Sequence, residues 1–241
     1  MNKDFQSTLE IIKTHGYWKM HIYPNSTNFI PIEPINKGKE IIESASVQFR
    51  GWDYPHFPTQ VLDHQKIYIA GDKVEAWTDY NQFKEIWRLF NTGQFIHLFG
   101  LIEDWIKESS SSQRLKEILP GRILEITWTI HSITEMYAFI RNLAQAGLYE
   151  SEIAVEITLF GTKDRELFNF DMRRMPLIGE HKAMTDIVVF PKRVYKIQEL
   201  ETNYLDFAFG QIVYLFNQFN WDNPNTEAIK EDQKKLIERR L

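Results

Sequence analysis

The sequence contains no cysteine. Disulfide bonds, thiolate nucleophiles and cysteine-ligated zinc are therefore excluded, and the absence is compatible with a reducing compartment. Residues 1–16 are too polar for a signal peptide, and no apolar run approaches the roughly 18 residues that a membrane span requires. These absences predict a cytoplasmic protein that does not associate with membranes.

The motifs that mark common enzyme classes are also missing. The sequence has no G-x-x-x-x-G-K-[ST], G-x-G-x-x-G, G-x-S-x-G or H-E-x-x-H pattern. Nucleotide hydrolysis, Rossmann-type cofactor binding, α/β-hydrolase chemistry and zincin chemistry thus have no support in the sequence, and no cofactor is predicted. The formal net charge is -5, whereas tight nonspecific binding to a polyanion normally needs a basic surface. Contact with nucleic acid would therefore need a local basic patch.

Aromatic residues, in contrast, are abundant. They make up 14% of the chain, and hydrophobic residues make up 43%, which is ample for a packed core. The strongest structural pattern runs from residue 66 to residue 103, where four aromatic and β-branched segments are separated by short turns. The pattern predicts an antiparallel meander with strands at 66–70, 73–80, 84–91 and 94–103.

The faces of these strands predict their positions in the sheet. Residues 94–101 are apolar on both faces, which is typical of a central strand covered on both sides. Residues 73–80 carry Lys73, Glu75, Trp77 and Asp79 on one face, so that face is expected to be partly wet.

The flanking segments predict an α+β fold with a mostly antiparallel sheet. We expect a single domain over 1–241, with sub-halves 1–107 and 122–241 joined by a polar linker at 108–121. The first half reads β-α-β-meander and the second reads β-α-β-β, followed by a helix that should be the most buried in the protein. Outside the meander, the predicted strands are at 17–24, 122–130, 152–160 and 165–170, with an edge strand that is interrupted at Pro191. The predicted helices are at 36–49 and 201–219, and a third helix begins at a capping box formed by Ser132 and Glu135 and ends at Gly147.

The first candidate site is the loop at 51–57, GWDYPHF. Trp52, Tyr54, His56 and Phe57 could form a stacking surface for a base, a sugar or a peptide, while Asp53 supplies a hydrogen-bond acceptor. We expect the loop to stay open to solvent. The alternative is a plug whose aromatic rings fold down over the meander.

The second candidate is catalytic. His97 could be a buried general base near Glu103 or Asp104, acting with an oxygen-ligated divalent ion. The alternatives are a space-filling histidine that donates to a carbonyl and acidic residues that simply begin a helix. No metal site is predicted, because the histidines do not pair at i, i+2 or i, i+4.

The third candidate is basic. Arg173, Arg174, Lys192 and Arg193 flank strand ends in the second half and could converge into an anion-binding patch. The alternative is solvated surface charge.

Three segments together resemble a known family: residues 43–57 (ESASVQFRGWDYPHF), 74–99 and 216–240. The resemblance is to uncharacterised prokaryotic proteins in which this region stands alone or is joined to a Schlafen-type, AlbA_2-like DNA-binding domain. It implies association with nucleic-acid-related or defence-related machinery. It supplies no catalytic residues, and this chain shows no recognisable AlbA_2 portion.

These observations favour a non-enzymatic binding or scaffold module in a nucleic-acid-linked or defence-linked bacterial system. Trp52, Asp53, Tyr54 and His56 would form its recognition loop, and the partner would be a protein, or nucleic acid held by the basic patch. The alternative is a metal-dependent hydrolase or nuclease that uses His97 with Glu103 or Asp104. A third reading is a structural subunit whose exposed aromatic residues form the interface of a homo-oligomer.

Overall fold

The computed structural model describes residues 4–26, 30–108, 117–171, 174 and 177–240. The chain has the predicted α+β fold with a mostly antiparallel sheet. The helices are α1 (Phe5–Ile12), α2 (Lys37–Ala45), α3 (Ile102–Trp105), α4 (Ile126–Gln145), α5 (Ile197–Gln218) and α6 (Thr226–Ile237). The strands are β1 (Tyr17–Pro24), β2 (Gln65–Ala70), β3 (Lys73–Tyr80), β4 (Phe83–Phe90), β5 (Phe95–Gly100), β6 (Ile123–Glu125), β7 (Glu152–Phe160), β8 (Glu166–Phe168), β9 (Ile187–Val189) and β10 (Arg193–Lys196).

One large sheet joins the two ends of the chain. Its strand order is β10-β7-β1-β5-β4-β3-β2, and β9 also pairs with β7. Since β1 lies between β5 and β7, strands from before and after residues 108–121 share one sheet. Residues 109–116 of the predicted linker lie outside the described part of the chain, and the division into sub-halves stays a prediction.

The predicted meander is confirmed as β2 to β5, with tight turns after Ala70 and Tyr80. The last strand ends at Gly100, because the chain turns into α3 two residues later. β5 is central, as its pattern predicted. Leu98 on one face packs in the cluster with α1, while Phe95 on the other face packs in the main core with α4.

The expectation of a partly wet face on β3 holds only at Lys73, the first residue of the strand, which is half-buried. Glu75, Trp77 and Asp79 are all buried, because α1 covers this side of the sheet. The charges have partners there: Arg88 donates to Glu75, and Lys84 Nζ lies 2.6 Å from Asp79 Oδ1. Periodicity in the sequence cannot show that a charged face will be paired and covered.

The strand predicted at 122–130 is mostly helix. Only Ile123–Glu125 is extended, paired in parallel with β8, and α4 begins at Ile126. The helix is capped by Glu125, whose carboxylate accepts the backbone N–H of Trp128 at 2.6 Å, instead of by the predicted box at Ser132 and Glu135. The apolar residues Leu124, Ile126, Trp128 and Ile130 alternate with Glu125, Thr127 and Thr129, a period of two that predicts a strand. Tertiary packing overrides this local preference.

α4 is also the most completely buried helix, a place that the sequence assigned to the helix at 201–219. That helix is α5, which begins earlier, at Ile197, and contacts the core through Ala208, Ile212 and Phe216. The predicted edge is present, since β9 and β10 pair with β7 on either side of Pro191. Within the described ranges, no helix has both the length and the apolar character needed to cross a bilayer.

Candidate functional site

A pocket of about 340 Å³ lies on the face of the sheet that α4 covers. Its floor is a cross-strand row in which Glu85 on β4 is opposite Phe99 on β5, and Phe99 is opposite Trp18 on β1. The side chains of Thr129, Ser132 and Glu135 on α4 form the wall above this floor. The loop at 50–54 and the start of α3 complete the lining. Five segments distant in sequence therefore converge on one cavity.

Glu85 is the best-anchored carboxylate of the pocket. Its Oε1 accepts Trp52 Nε1–H at 3.1 Å, and its Oε2 accepts the backbone N–H of His56 at 3.1 Å and contacts His97 Nε2 at 2.9 Å. Burial acts to raise the pKa of Glu85, but the hydrogen bond and charge of His97, with the charge of His56, lower it below its usual value. Glu85 therefore carries a negative charge and ties the loop to the sheet.

The loop at 51–57 does not stand open to solvent as the sequence led us to expect. Tyr54 is buried, and its hydroxyl lies 3.2 Å from His97 Nδ1. The indole of Trp52 is stacked 4.0 Å from the ring of His56 and 4.2 Å from that of Phe83. The rings of His56 and Phe83 would clash with each other if both lay on the same face of the indole at these distances. They therefore cover its two opposite faces. The loop is thus a fixed wall of the pocket, and Trp52 offers no free stacking face.

His56 is held at both ring nitrogens. Nδ1 lies 2.5 Å from Asp53 Oδ1, and Nε2 lies 3.1 Å from Gln65 Oε1. Burial opposes protonation of His56, but the hydrogen bond to Asp53 and the charges of Glu85 and Asp53 outweigh it and raise the pKa. Asp53 also accepts the backbone N–H of Phe57 at 2.9 Å, so it closes the loop on itself.

Glu103 and Asp104 have different surroundings. Asp104 forms a buried ion pair with Arg165, and its carboxylate accepts the backbone N–H groups of Gly16 at 2.9 Å and Gly121 at 2.8 Å. Asp104 therefore joins three segments, and its carboxylate oxygens are occupied by these partners instead of being available to act as an acid or base. Glu103, in contrast, lines the pocket.

Glu103 is a buried carboxyl group that holds its proton. Its Oε1 accepts the backbone N–H of Glu125 at 3.1 Å. Burial raises the pKa of Glu103 to about 8, against the opposing charge of Arg165. The group is neutral at pH 7. His97 bonds to Glu85 and Tyr54 instead of to Glu103 or Asp104, so the predicted catalytic pairing is not brought together.

The two cations of the lining are already paired. Arg50 donates to both carboxylate oxygens of Glu135, with Nε–H to Oε1 at 2.9 Å. Burial nevertheless raises the pKa of Glu135, which Arg50 counteracts. Lys84 Nζ lies 2.6 Å from Asp79 and 2.7 Å from Glu108. Within the described ranges, no group of three or more histidine and acidic side chains is arranged to hold a metal ion.

The predicted anion patch is divided among separate partners. Arg174 is paired with Asp232 on α6, with Nη1–H to Oδ2 at 2.7 Å. Lys192 lies 5.1 Å from the centre of the Tyr23 ring and 3.9 Å from Glu156. Arg193 is on the exposed strand β10, and Arg173 lies outside the described residues.

Sequence reasoning missed most of the pocket. Glu85, Arg50, Glu135 and Ser132 were not among the candidates, although Glu85 is the one charged residue on a face of β4 that otherwise carries Phe83, Trp87 and Leu89. That isolated charge was the available signal, because a buried carboxylate needs specific partners. Ser132 and Glu135 were assigned to a helix cap, which hid their position over the floor.

Comparisons with protein-family models, with curated proteins and with solved structures find no match for this chain. The family resemblance therefore stays a prediction, and the site is interpreted from its own geometry.

Proposed function

We propose that this protein is a binding module whose pocket takes a small ring-bearing molecule. The observation that carries the proposal is the composition of the lining: apolar aromatic surface from Trp18, Phe83, Phe99 and Trp128, with a few fixed polar groups among it. Ligand sites are typically concave and apolar with a small number of well-placed polar groups, and their volumes begin at about 300 Å³. The cavity volume of about 340 Å³ fits a compound of one or two rings.

The polar groups of the pocket are pre-positioned. Glu85 is fixed by three hydrogen bonds, Arg50 by Glu135, and Trp52 by the rings on its two faces. A lining that is ordered before the ligand arrives avoids the entropic cost of ordering it on binding. This rigidity favours a receptor for a small ligand.

The same contacts favour binding over metal-dependent hydrolysis. A general base at His97 would need a free ring nitrogen near substrate, but both nitrogens lie within hydrogen-bond distance of Tyr54 and Glu85. Asp104 is similarly occupied by Arg165. The family resemblance implies a nucleic-acid or defence link, and nucleosides belong to the ligand class that the pocket fits.

The test is a screen with a blocked pocket. A library of ring-bearing fragments that includes adenosine, uridine and indole is examined by ligand-observed NMR, and hits are checked by their effect on the thermal midpoint. Ser132→Leu places a larger side chain in the cavity from the wall of α4 and is expected to abolish binding. Ser44→Leu, at an exposed position of α2, is the matched control and should bind like the parent chain.

A second variant protects the test against misfolding. Phe83→Leu removes part of the aromatic wall at a half-buried position and should weaken the binding of the hits. This variant decides the test when circular dichroism shows that Ser132→Leu is unfolded. The proposal is wrong if no fragment binds the parent chain, or if every hit binds all of these folded variants equally.

A further inference from the structure

We propose that the pocket selects an organic cation, and that Glu103 releases its carboxyl proton to solvent when the cation binds. This inference rests on the proposed function and names the ligand class of the same pocket. It stands on three features of the lining: aromatic rings, an excess of negative charge and unused acceptor atoms.

The aromatic rings of the lining suit a cation. Trp18, Phe83, Phe99 and Trp128 line the cavity. A cation within about 6 Å of an aromatic ring is attracted by the negative potential of the ring face, and the attraction strengthens when water is excluded. A neutral ligand of the same shape gains the apolar contact but not this attraction.

The charges around the pocket are predominantly negative. Lys84 is balanced by two carboxylates, Asp79 and Glu108, and Arg50 is balanced by Glu135. The charge of Glu85 then has only histidines to offset it. A positively charged ligand would meet no unpaired cation in this lining, and it would reduce the repulsion among the carboxylates.

The lining also has unused acceptor atoms. Gln82 lines the pocket, and its side-chain oxygen is buried and has no hydrogen-bond partner among the described residues. Oε1 of Glu85 accepts one hydrogen bond, from Trp52, and a carboxylate oxygen has room for two. A buried acceptor without a donor is unfavourable, so these atoms favour a ligand that brings N–H or polarised C–H groups.

Glu103 is the group that responds to such a ligand. On its protein side it faces Arg165, its neighbour Asp104 and the backbone N–H of Glu125. Burial keeps its pKa at about 8, so the carboxyl group is protonated at pH 7.

Across the pocket, the lining presents Glu85 from β4, Glu135 from α4, and Arg50 and Asp53 from the loop, while the ammonium of Lys84 lies with Asp79 on the other face of the sheet. Because the two cations among these are already paired, the carboxyl group of Glu103 has no free positive partner there. A bound organic cation would supply one and lower the pKa by about 1 to 3 units, as a close opposite charge does. The carboxyl group then ionises, and its proton goes to the buffer.

The test uses quaternary ammonium probes, which cannot titrate themselves. Choline and benzyltrimethylammonium are measured by isothermal titration calorimetry, with 3,3-dimethyl-1-butanol as the neutral counterpart of choline. We expect choline to bind about tenfold more tightly than the alcohol. At pH 7 the binding enthalpies measured in phosphate and in Tris should differ by the difference between the ionisation enthalpies of the two buffers, multiplied by about one released proton. Choline should also bind about tenfold more tightly at pH 9 than at pH 7.

Variants assign the proton. Glu103→Gln should abolish both the buffer dependence and the pH dependence of choline binding. Glu125→Gln is the matched control, because burial also raises the pKa of Glu125, to about 7, but its carboxylate accepts the N–H groups of Trp128 and Phe170 and does not line the pocket. The release on choline binding should persist in Glu125→Gln.

The outcomes separate this inference from the proposed function. Equal affinity for choline and the alcohol, or proton release that survives Glu103→Gln, overturns the cation inference. The cation inference is also wrong if neither ammonium probe binds. In that case the proposed binding module is still supported if neutral fragments bind the parent chain and Ser132→Leu blocks their binding. If neither ammonium probes nor neutral fragments bind, both proposals are wrong.

Discussion

His97 Nε2 lies 2.9 Å from Oε2 of Glu85, and both side chains are buried. This contact connects adjacent strands of the meander beneath the pocket. Glu85 in turn holds the backbone of His56 and the indole of Trp52, so the loop at 50–57 takes its position from a carboxylate on β4. The pocket exists in this form because one buried charge organises the loop around it.

Replacing His97 by leucine should destabilise the protein strongly. The variant leaves the Glu85 carboxylate without its imidazole partner, and breaking a buried charge pair costs about 3 to 5 kcal/mol. The free energy of unfolding from urea titrations measures the loss. Tyr54→Phe is the control: it removes only the hydroxyl that lies 3.2 Å from Nδ1 and should cost about 1 kcal/mol. Equal losses in the two variants would contradict this account.

Stability should depend on pH through Glu103. Its pKa is about 8 in the folded chain, whereas an unfolded glutamate has a pKa of about 4.3. The folded state binds the proton of Glu103 more tightly than the unfolded state does. The contribution of this proton to the free energy of unfolding is therefore complete below about pH 4.3 and is lost as the pH rises through about 8.

The expected slope is a loss of about 1.4 kcal/mol per pH unit in the parent chain relative to Glu103→Gln, over the range from about pH 5 to about 8. Urea midpoints of the two proteins across this range give the difference directly. Parallel curves would show that Glu103 ionises with a normal pKa.

The two glycines Gly100 and Gly210 should respond in opposite directions to alanine. A Cβ on Gly100 would lie 2.8 Å from Nε1 of Trp105, which is buried and cannot move freely, so Gly100→Ala should cost about 1 to 3 kcal/mol. Gly210 lies inside α5 with no atom within 4 Å of such a Cβ. Gly210→Ala should therefore stabilise the protein by about 0.5 to 1 kcal/mol. Thermal midpoints of both variants test the pair, and a change of the same sign in both would refute the packing argument.

The meander shows what a local pattern can predict. Its strands, turns and central position follow from alternation, β-branched and aromatic content, and turn residues, all of which act over a few neighbouring positions. The segment at 122–130 shows the limit. Its residues from 124 to 130 alternate between apolar and polar as a strand does, but the packing of α4 against the sheet decided that residues 126–130 became helix.

The candidate site shows a second limit. The sequence pointed to the loop at 51–57 and to Glu103. Residues 51–54 of the loop and Glu103 line the pocket, but the sequence paired Glu103 with His97 and left Glu85 out. Sequence spacing does not reveal that residues 52, 85 and 97 meet, because their contact depends on strand register and on where the loop crosses the sheet.

By itself the sequence determined the fold class, the order of the meander strands and the lack of cysteine chemistry, since each depends on composition or on neighbours along the chain. Only the tertiary structure decided which charges are buried together, which aromatic faces are covered and which carboxyl group keeps its proton. Those properties depend on desolvation and on partners brought from distant segments, and burial is a property of the whole fold.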